Sequence, residues 1–294
     1  MIEKWQLQQM QSLPLEAKIM KTKARIREFY NHYEGDVYIA FSGGKDSTVL
    51  LDIARQEYPD IKACFINTGL EFPEIVEFVK TIENVDIIKP EKTFRQVIDQ
   101  YGYPVISKEV SEKIYYGKRG KHYALKHFEK GAKPCYSKYK YLLDSDFTIS
   151  HKCCNELKKK PSAKYEKTTG LKKIMGTMAC NSQLRQKSYL QTGCNNFSKG
   201  SSIPLSFWLD VDIWEYLKVF NLPYSKIYDM GYKGTGCMFC MFGVHLDKPP
   251  NRFHLMQKTH PKLWDYCINN LGCGKVLDYI GVDYGQETCK IRRD

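Results

Sequence analysis

The sequence predicts an α/β fold, a doubly wound and mostly parallel sheet with a helical C-terminal extension. Three observations predict it. Short apolar runs at 37–41, 62–66 and 85–88 alternate with helix-forming stretches, the chain order that builds a parallel sheet covered by helices. A glycine turn, Ser42-Gly43-Gly44, joins the first run to the helix behind it. The 294 residues, 43% hydrophobic and 27% charged, suffice for one large domain or two smaller ones that fold without staples.

Each element follows in order. Residues 3–33 read as one or two helices, with Leu7, Met10, Leu13, Ile19, Ile26 and Tyr30 along an apolar face. The run 37–41 reads as a buried strand, and 46–58 as the helix after the glycine turn. The strand 62–66 ends in the turn Asn67-Thr68-Gly69. A helix over 73–82 starts with proline, which suits a first-turn position. The run 85–88 is the third strand, and Ile174-Met175-Gly176 is a further strand end. Helices are expected over 208–220, with Asp210 or Asp212 near the start, and over 251–271, with a short last element over 274–280. No repeat, low-complexity run or linker interrupts the chain. Its organisation reads as an N-terminal helical segment 1–34, an α/β domain 35–245 and a C-terminal helical extension 246–294.

Charge narrows the partners. The chain carries 45 Lys and Arg against 33 Asp and Glu, a net charge of +12, which suits an anionic partner: nucleotide, nucleic acid or an acidic surface. A solvated basic surface is the equal alternative. The stretch 113–140 interleaves Tyr115, Tyr116, Tyr123, Tyr136 and Tyr139 with lysines and Arg119, a pattern that serves phosphate contact and base stacking. No apolar run is long enough to span a bilayer, and residues 1–27 lack the apolar core of a secretory signal. A cytoplasmic location is expected.

Residues Ser42, Gly43, Gly44, Lys45, Asp46 and Ser47 sit where the first strand meets its helix. Two glycines allow the backbone close to an anion, helix N-terminal amides and the dipole favour negative charge, and Lys45 adds a point charge. The spacing is not that of a Walker A loop. The string instead resembles the signature of the PP-loop superfamily, the adenine-nucleotide α-hydrolases. That resemblance implies that Ser42–Ser47 holds the phosphates of ATP, that Mg²⁺ accompanies the nucleotide, that Lys45 and Ser47 take part in catalysis, and that Thr68 and Gly69 lie beside the nucleotide.

Eleven cysteines are many for a reducing compartment, where disulfides are rare. Cys153-Cys154 is one pair and Cys237-Met238-Phe239-Cys240 the other. Four thiolates suit an iron–sulfur cluster or zinc. Cys64, Cys267 and Cys273 read as buried, unligated thiols, and His151, two residues before Cys153, as a neighbour or surface residue and not a ligand. The pattern resembles the phosphoadenosine phosphosulfate reductase family within the PP-loop superfamily, over about 35–243. The match includes Thr68-Gly69, Phe72-Pro73-Glu74, Cys153-Cys154 with Lys158 and Pro161, and Gly176, Ser182 and Arg185. It continues through Pro204-Leu205, Trp208, Asp212, Trp214, Leu222-Pro223-Tyr224 and Gly231-Tyr232 to the CxxC. The resemblance implies a 4Fe-4S cluster on Cys153, Cys154, Cys237 and Cys240, with zinc the rival, and a catalytic role for Arg185.

Three departures point from sulfate reduction to ATP chemistry. Reductases of the family have a degenerate phosphate loop, whereas this chain keeps Lys45. They carry two arginines soon after the glycine matching Gly176, where this chain has Met178 and Ala179. They end in Glu-Cys-Gly, where this chain has Thr288-Cys289-Lys290. The expected function is an AMP-forming ATP pyrophosphatase that supports sulfur transfer, with nucleic acid as acceptor through 113–140 and a protein as sulfur donor. A thioredoxin-dependent reductase using Cys289, and a nucleic-acid-binding accessory protein with a structural cluster, are the alternatives.

Overall fold

The structure is a computed structural model that describes residues 2–285. The chain runs α1 (Lys4–Gln11), α2 (Leu15–His32), β1 (Val37–Phe41), α3 (Lys45–Glu57), β2 (Lys62–Ile66), α4 (Pro73–Lys80), β3 (Val85–Ile88), α5 (Phe94–Tyr101), β4 (Val105–Ile106), α6 (Lys108–Gly117), α7 (His122–Leu125) and α8 (Lys160–Thr169). It continues with β5 (Lys172–Met175), α9 (Gln183–Thr192), β6 (Asn195–Asn196), β7 (Ser201–Ser202), α10 (Asp210–Val219), β8 (Met241–Phe242), α11 (Arg252–Thr259), α12 (Pro261–Asp265) and α13 (Cys273–Tyr279). Two compact units result, each discontinuous in sequence. The first takes the chain up to Asn67, then Glu71–Lys89 and Pro161–Thr235. The second takes Thr68–Leu70, Pro90–Lys160 and the described chain from Gly236 on. The linear segments 1–34, 35–245 and 246–294 therefore describe chain order and not these units.

The first unit holds a six-stranded sheet of order β3-β2-β1-β5-β7-β6. All pairings are parallel except β6 with β7, so the doubly wound α/β expectation holds. The first three strands fall where the apolar runs place them. β1 is central, and Val37, Tyr38, Ile39 and Phe41 are buried, as a strand covered on both faces requires. Tyr165 of α8 packs edge-on against Tyr38 and donates to Asp86 of β3 at 2.7 Å.

The N-terminal helices differ from the expected apolar face. Pro14 separates α1 from α2, and the buried positions of α2 are Leu15, Lys18, Thr22, Ile26 and Phe29. That is a helical stripe of three- and four-residue steps, but two members are polar, so hydropathy alone points elsewhere. Thr22 accepts from Trp208 Nε1 at 2.9 Å and Lys18 pairs with Asp212, which satisfies the buried groups.

The second unit holds the parallel β4–β8 pair with α5–α7 and α11–α13. The single helix expected over 251–271 is in fact three pieces. Pro261, which cannot donate to the preceding turn, starts α12, and a π-helical turn, Tyr266–Asn270, follows. Asn251 caps α11, accepting from the amides of Phe253 and His254. No helix among the described residues is long and apolar enough to cross a membrane.

Candidate nucleotide and thiol sites

The phosphate loop lies wholly in the first unit. β1 ends at Phe41 and α3 begins at Lys45, with Gly44 as the N-cap. Gly43 has φ +69°, and a Cβ there would lie 2.7 Å from Ile75 Cγ2 and 2.8 Å from Val79 Cγ2 of α4. Glycine is required both by conformation and by space. Gly176, just past β5, is equally constrained: a Cβ would sit 3.0 Å from the Asp46 carbonyl oxygen. The β5 end thus packs directly on the start of α3.

The loop is internally satisfied. Ser47 Oγ donates to the Gly44 carbonyl at 2.8 Å and accepts from the Ser42 amide at 3.2 Å. Ser42 and Ser47 hydroxyls lie 3.0 Å apart, and the Gly44 amide donates to Ser42 Oγ at 3.3 Å. The Lys45 amide, a free donor at a helix start, gives its hydrogen bond to Tyr228 Oη at 2.9 Å. The Lys45 side chain is buried; Nζ donates to Asp46 Oδ1 at 2.8 Å and to Asp210 Oδ1, and it lies 5.8 Å from the Trp214 ring centre. Burial alone would lower its pKa, but its hydrogen bonds to Asp210 and Asp46 and their charges outweigh it and raise the ammonium above the ordinary lysine value. Burial raises the Tyr228 phenol, so it stays neutral. The groups that a phosphate would meet are therefore present and already paired with Asp210, Tyr228 and Ser42. Asp210 is the exposed member, at 59% side-chain exposure.

The structure brings Ser42, Gly44, Lys45, Asp46 and Ser47 together, and adds Asp210, Tyr228 and Trp214; Asp210, near the start of its helix, and Trp214, in the family match, had a sequence signal, and Tyr228 had none. Arg185 stands exposed in the first turn of α9, capped by Ser182, with no ion pair to the loop among the described residues. Met178 and Ala179 are buried, so neither puts a cation at the surface. Thr68 and Gly69 belong to the second unit, where the Leu70 carbonyl accepts from the Met238 amide at 2.9 Å. That contact ties the segment to the CxxC turn.

All four cysteines of the two pairs lie in the second unit. Cys153 and Cys154 start the helical run that leads into α8. Cys237 and Cys240 stand at the two ends of a tight turn closed by the Cys240 amide on the Cys237 carbonyl at 3.1 Å. Arg252, bound to Asp247 by two hydrogen bonds, braces this turn through the Cys240 and Phe242 carbonyls. Burial pushes the Cys153 thiol up, and the neighbouring Cys154, Cys237 and Cys240 push it further; burial and Cys237 raise Cys240 to about 11. The four thiols therefore share one neighbourhood, and no disulfide joins them. Yet no group of three or more His, Cys, Asp or Glu among the described residues has a metal-holding arrangement. The donor chemistry fits an iron–sulfur cluster or zinc, while the side-chain placement does not yet form its cage. Asp46 and Asp210, carboxylates beside the loop that the expected Mg²⁺ would use, are both engaged with Lys45. Cys64, Cys267 and Cys273 are buried, and Cys289 lies outside the described residues.

The family model of the phosphoadenosine phosphosulfate reductase domain matches residues 36–112 and 118–242. The chain belongs to this family. Among its relatives is an adenosine 5'-phosphosulfate reductase of Anoxybacillus flavithermus, 26% identical over 81% of this chain and 86% of the relative. Two uncharacterized proteins of Methanocaldococcus jannaschii are 24% and 23% identical over 84% and 85% of this chain. The chain spans about half the length of these two, 43% and 52%. Among solved structures, a phosphoadenylyl-sulfate reductase from Candida auris aligns over 81% of this chain and 96% of its own, at 15% identity and a TM-score of 0.44. The U34-tRNA thiolase NcsA from Methanococcus maripaludis, with its [4Fe-4S] cluster, aligns over 94% and 87%, at 15% identity and a TM-score of 0.39.

Proposed function

We propose that this member of the family is an AMP-forming ATP pyrophosphatase that supports sulfur transfer to a nucleic acid. One observation carries the reading: an intact glycine loop places Lys45 at the first position of α3, buried and charged, while the positions 178 and 179, which the reductases fill with arginine, hold buried Met178 and Ala179. A phosphosulfate needs cations around its sulfate. ATP needs a cradle for its β- and γ-phosphates, and the loop supplies one.

In this reading the amides of the loop and Lys45 hold the diphosphate end, and the incoming phosphates displace Asp210 from Lys45. Ser47 holds the loop in shape through Gly44. An acceptor oxygen attacks the α-phosphorus, the bond to the bridging oxygen breaks, and pyrophosphate leaves with its new charge neutralised by Lys45; Mg²⁺ brought with the nucleotide, with Asp46 and Asp210 as the carboxylates at hand, would add to that neutralisation. Arg185 is assigned to the α-phosphate. Hydrosulfide, or its equivalent from a donor protein, then displaces AMP at the activated carbon. Cys153, Cys154, Cys237 and Cys240 hold a 4Fe-4S cluster, which supplies sulfur-binding or redox chemistry when present. The basic segment 113–140 takes the nucleic acid.

The test gives anaerobically purified protein either ATP or phosphoadenosine phosphosulfate with thioredoxin. Pyrophosphate and AMP from ATP support the reading. Sulfite from the phosphosulfate at enzymatic rates, with no pyrophosphate from ATP, overturns it in favour of the reductase.

A further inference from the structure

In the second unit, α7 and the 3₁₀ turn after it, Lys126–Phe128, turn Ala124 and Phe128 into the core. Their opposite face carries His122, Tyr123, Lys126 and His127. With Ala132 and Lys133 these residues line a cavity of about 410 Å³, within the roughly 300–1,000 Å³ of small-ligand sites. The lining has no carboxylate. It contains two lysines, two histidines and a tyrosine exposed to 52%. The surrounding segment 113–140 has nine Lys and Arg against one acidic residue, Glu129, so it supplies most of the chain's excess positive charge.

We infer that this cavity is a nucleotide pocket for a single-stranded nucleic acid, in which one base stacks on Tyr123 while Lys126 and Lys133 hold the flanking phosphates. Tyr123 is positioned for this. Its ring lies 5.9 Å from Tyr116 and 5.3 Å from the Lys113 ammonium, so it is backed by an aromatic and a cation on the protein side. Base-on-aromatic stacking tolerates any sequence, because every base has a π-face. His127 adds polarity of a defined sense. Its Nδ1 lies 3.0 Å from the Pro134 carbonyl, which can only accept. Nδ1 therefore carries the hydrogen, and Nε2 of the neutral ring is an acceptor for a base amine. An acidic peptide would use the lysines but would leave the tyrosine face and this acceptor without a partner. Tyr136, behind His127 at 6.1 Å, donates to Glu109 at 2.6 Å, which keeps that carboxylate engaged.

The inference rests on the nucleic-acid part of the proposed function, and the test separates the two. Fluorescence anisotropy of the full chain is measured with labelled oligothymidylate and oligouridylate of about twenty nucleotides and with a duplex of equal length. The proteins are wild type, Tyr123→Ala and the double variant Lys126→Glu/Lys133→Glu. Tyr123→Ala is expected to weaken single-strand binding by about tenfold. The double variant is expected to lose at least about tenfold and to flatten the salt dependence by roughly two phosphates' worth. Both variants keep the wild-type melting temperature, which separates a lost contact from a lost fold. Ultraviolet cross-linking of wild type is expected to label 122–133, a readout that needs no variant to fold. Undiminished binding by both variants, with cross-links elsewhere, overturns the pocket and leaves the nucleic-acid reading standing. Equal duplex and single-strand affinity, with Tyr123→Ala silent, also overturns it, since phosphates alone would then be bound. Wild type that binds no oligonucleotide removes both the pocket and the nucleic-acid link, while ATP cleavage is judged by its own assay.

Discussion

The Lys18 ammonium donates to Asp212 Oδ2 at 2.6 Å, and both side chains are buried. Asp212 uses the same oxygen to accept from the Leu209 amide at 2.6 Å, so it caps the start of α10 while it neutralises a lysine from α2. Two residues earlier, Asp210 reaches Lys45. The N-terminal helix is thereby linked through the first turn of α10 to the phosphate loop.

Removing one partner of that pair should be costly. Lys18→Met leaves Asp212 charged and uncompensated, and breaking a buried pair costs about 3–5 kcal/mol. The variant should show a lower melting temperature by calorimetry. Lys18→Met/Asp212→Leu should recover part of the loss, though not the cap on Leu209. A single variant as stable as wild type would show that the pair is solvated.

Lys45→Ala should reduce ATP turnover by at least about tenfold, because the charge that meets the departing pyrophosphate is lost. Pyrophosphate release measures it. Asp210→Asn should act in the opposite sense on binding: it removes the carboxylate that competes with phosphate for Lys45, so ATP affinity should rise, most at low ionic strength. Unchanged ATP affinity and turnover in Lys45→Ala would remove the loop from the chemistry.

Gly43→Ala tests the loop's shape. The new methyl meets Ile75 and Val79 side chains, and φ +69° is costly for any residue with a Cβ, by about 1–2 kcal/mol before the overlap is counted. The expected outcome is a destabilised protein with ATP binding lost along with the turn. Wild-type affinity and stability in this variant would contradict the geometry.

Cysteine variants separate metal from structure. Cys153→Ser, Cys154→Ser, Cys237→Ser and Cys240→Ser should each lower the iron and sulfide bound after anaerobic reconstitution and bleach the visible charge-transfer absorbance. Stoichiometric zinc without iron in wild type would refute the cluster. Cys289→Ser should leave ATP cleavage intact; thioredoxin-dependent sulfite release by wild type that this variant loses would make Cys289 the nucleophile of a reductase.

Strands β1–β3, the end of β5 and the loop were legible in the order of residues because their signals are local, whereas the two-residue polar strands β6 and β7 were not. A central strand covered on both faces reads as an apolar run, as 37–41 does, and glycines let a loop's backbone come within reach of an anion, as Gly43 and Gly44 do. The paired cysteines were legible for the same reason, since two pairs with short spacing stand out against single thiols. The α2 stripe was not legible, because Lys18 and Thr22 are buried only through partners nearly two hundred residues away, Asp212 and Trp208, and no local pattern reports a partner that distant. Tyr228 on the Lys45 amide and Asp210 on its ammonium belong to the same class. The sequence could say that the 251–271 stretch favours helix, but it took the packed chain to show Pro261 breaking it. What tertiary structure decided was which polar groups share a buried neighbourhood, because the cost of burying a charge or a donor is repaid only by a specific partner brought there by the whole fold.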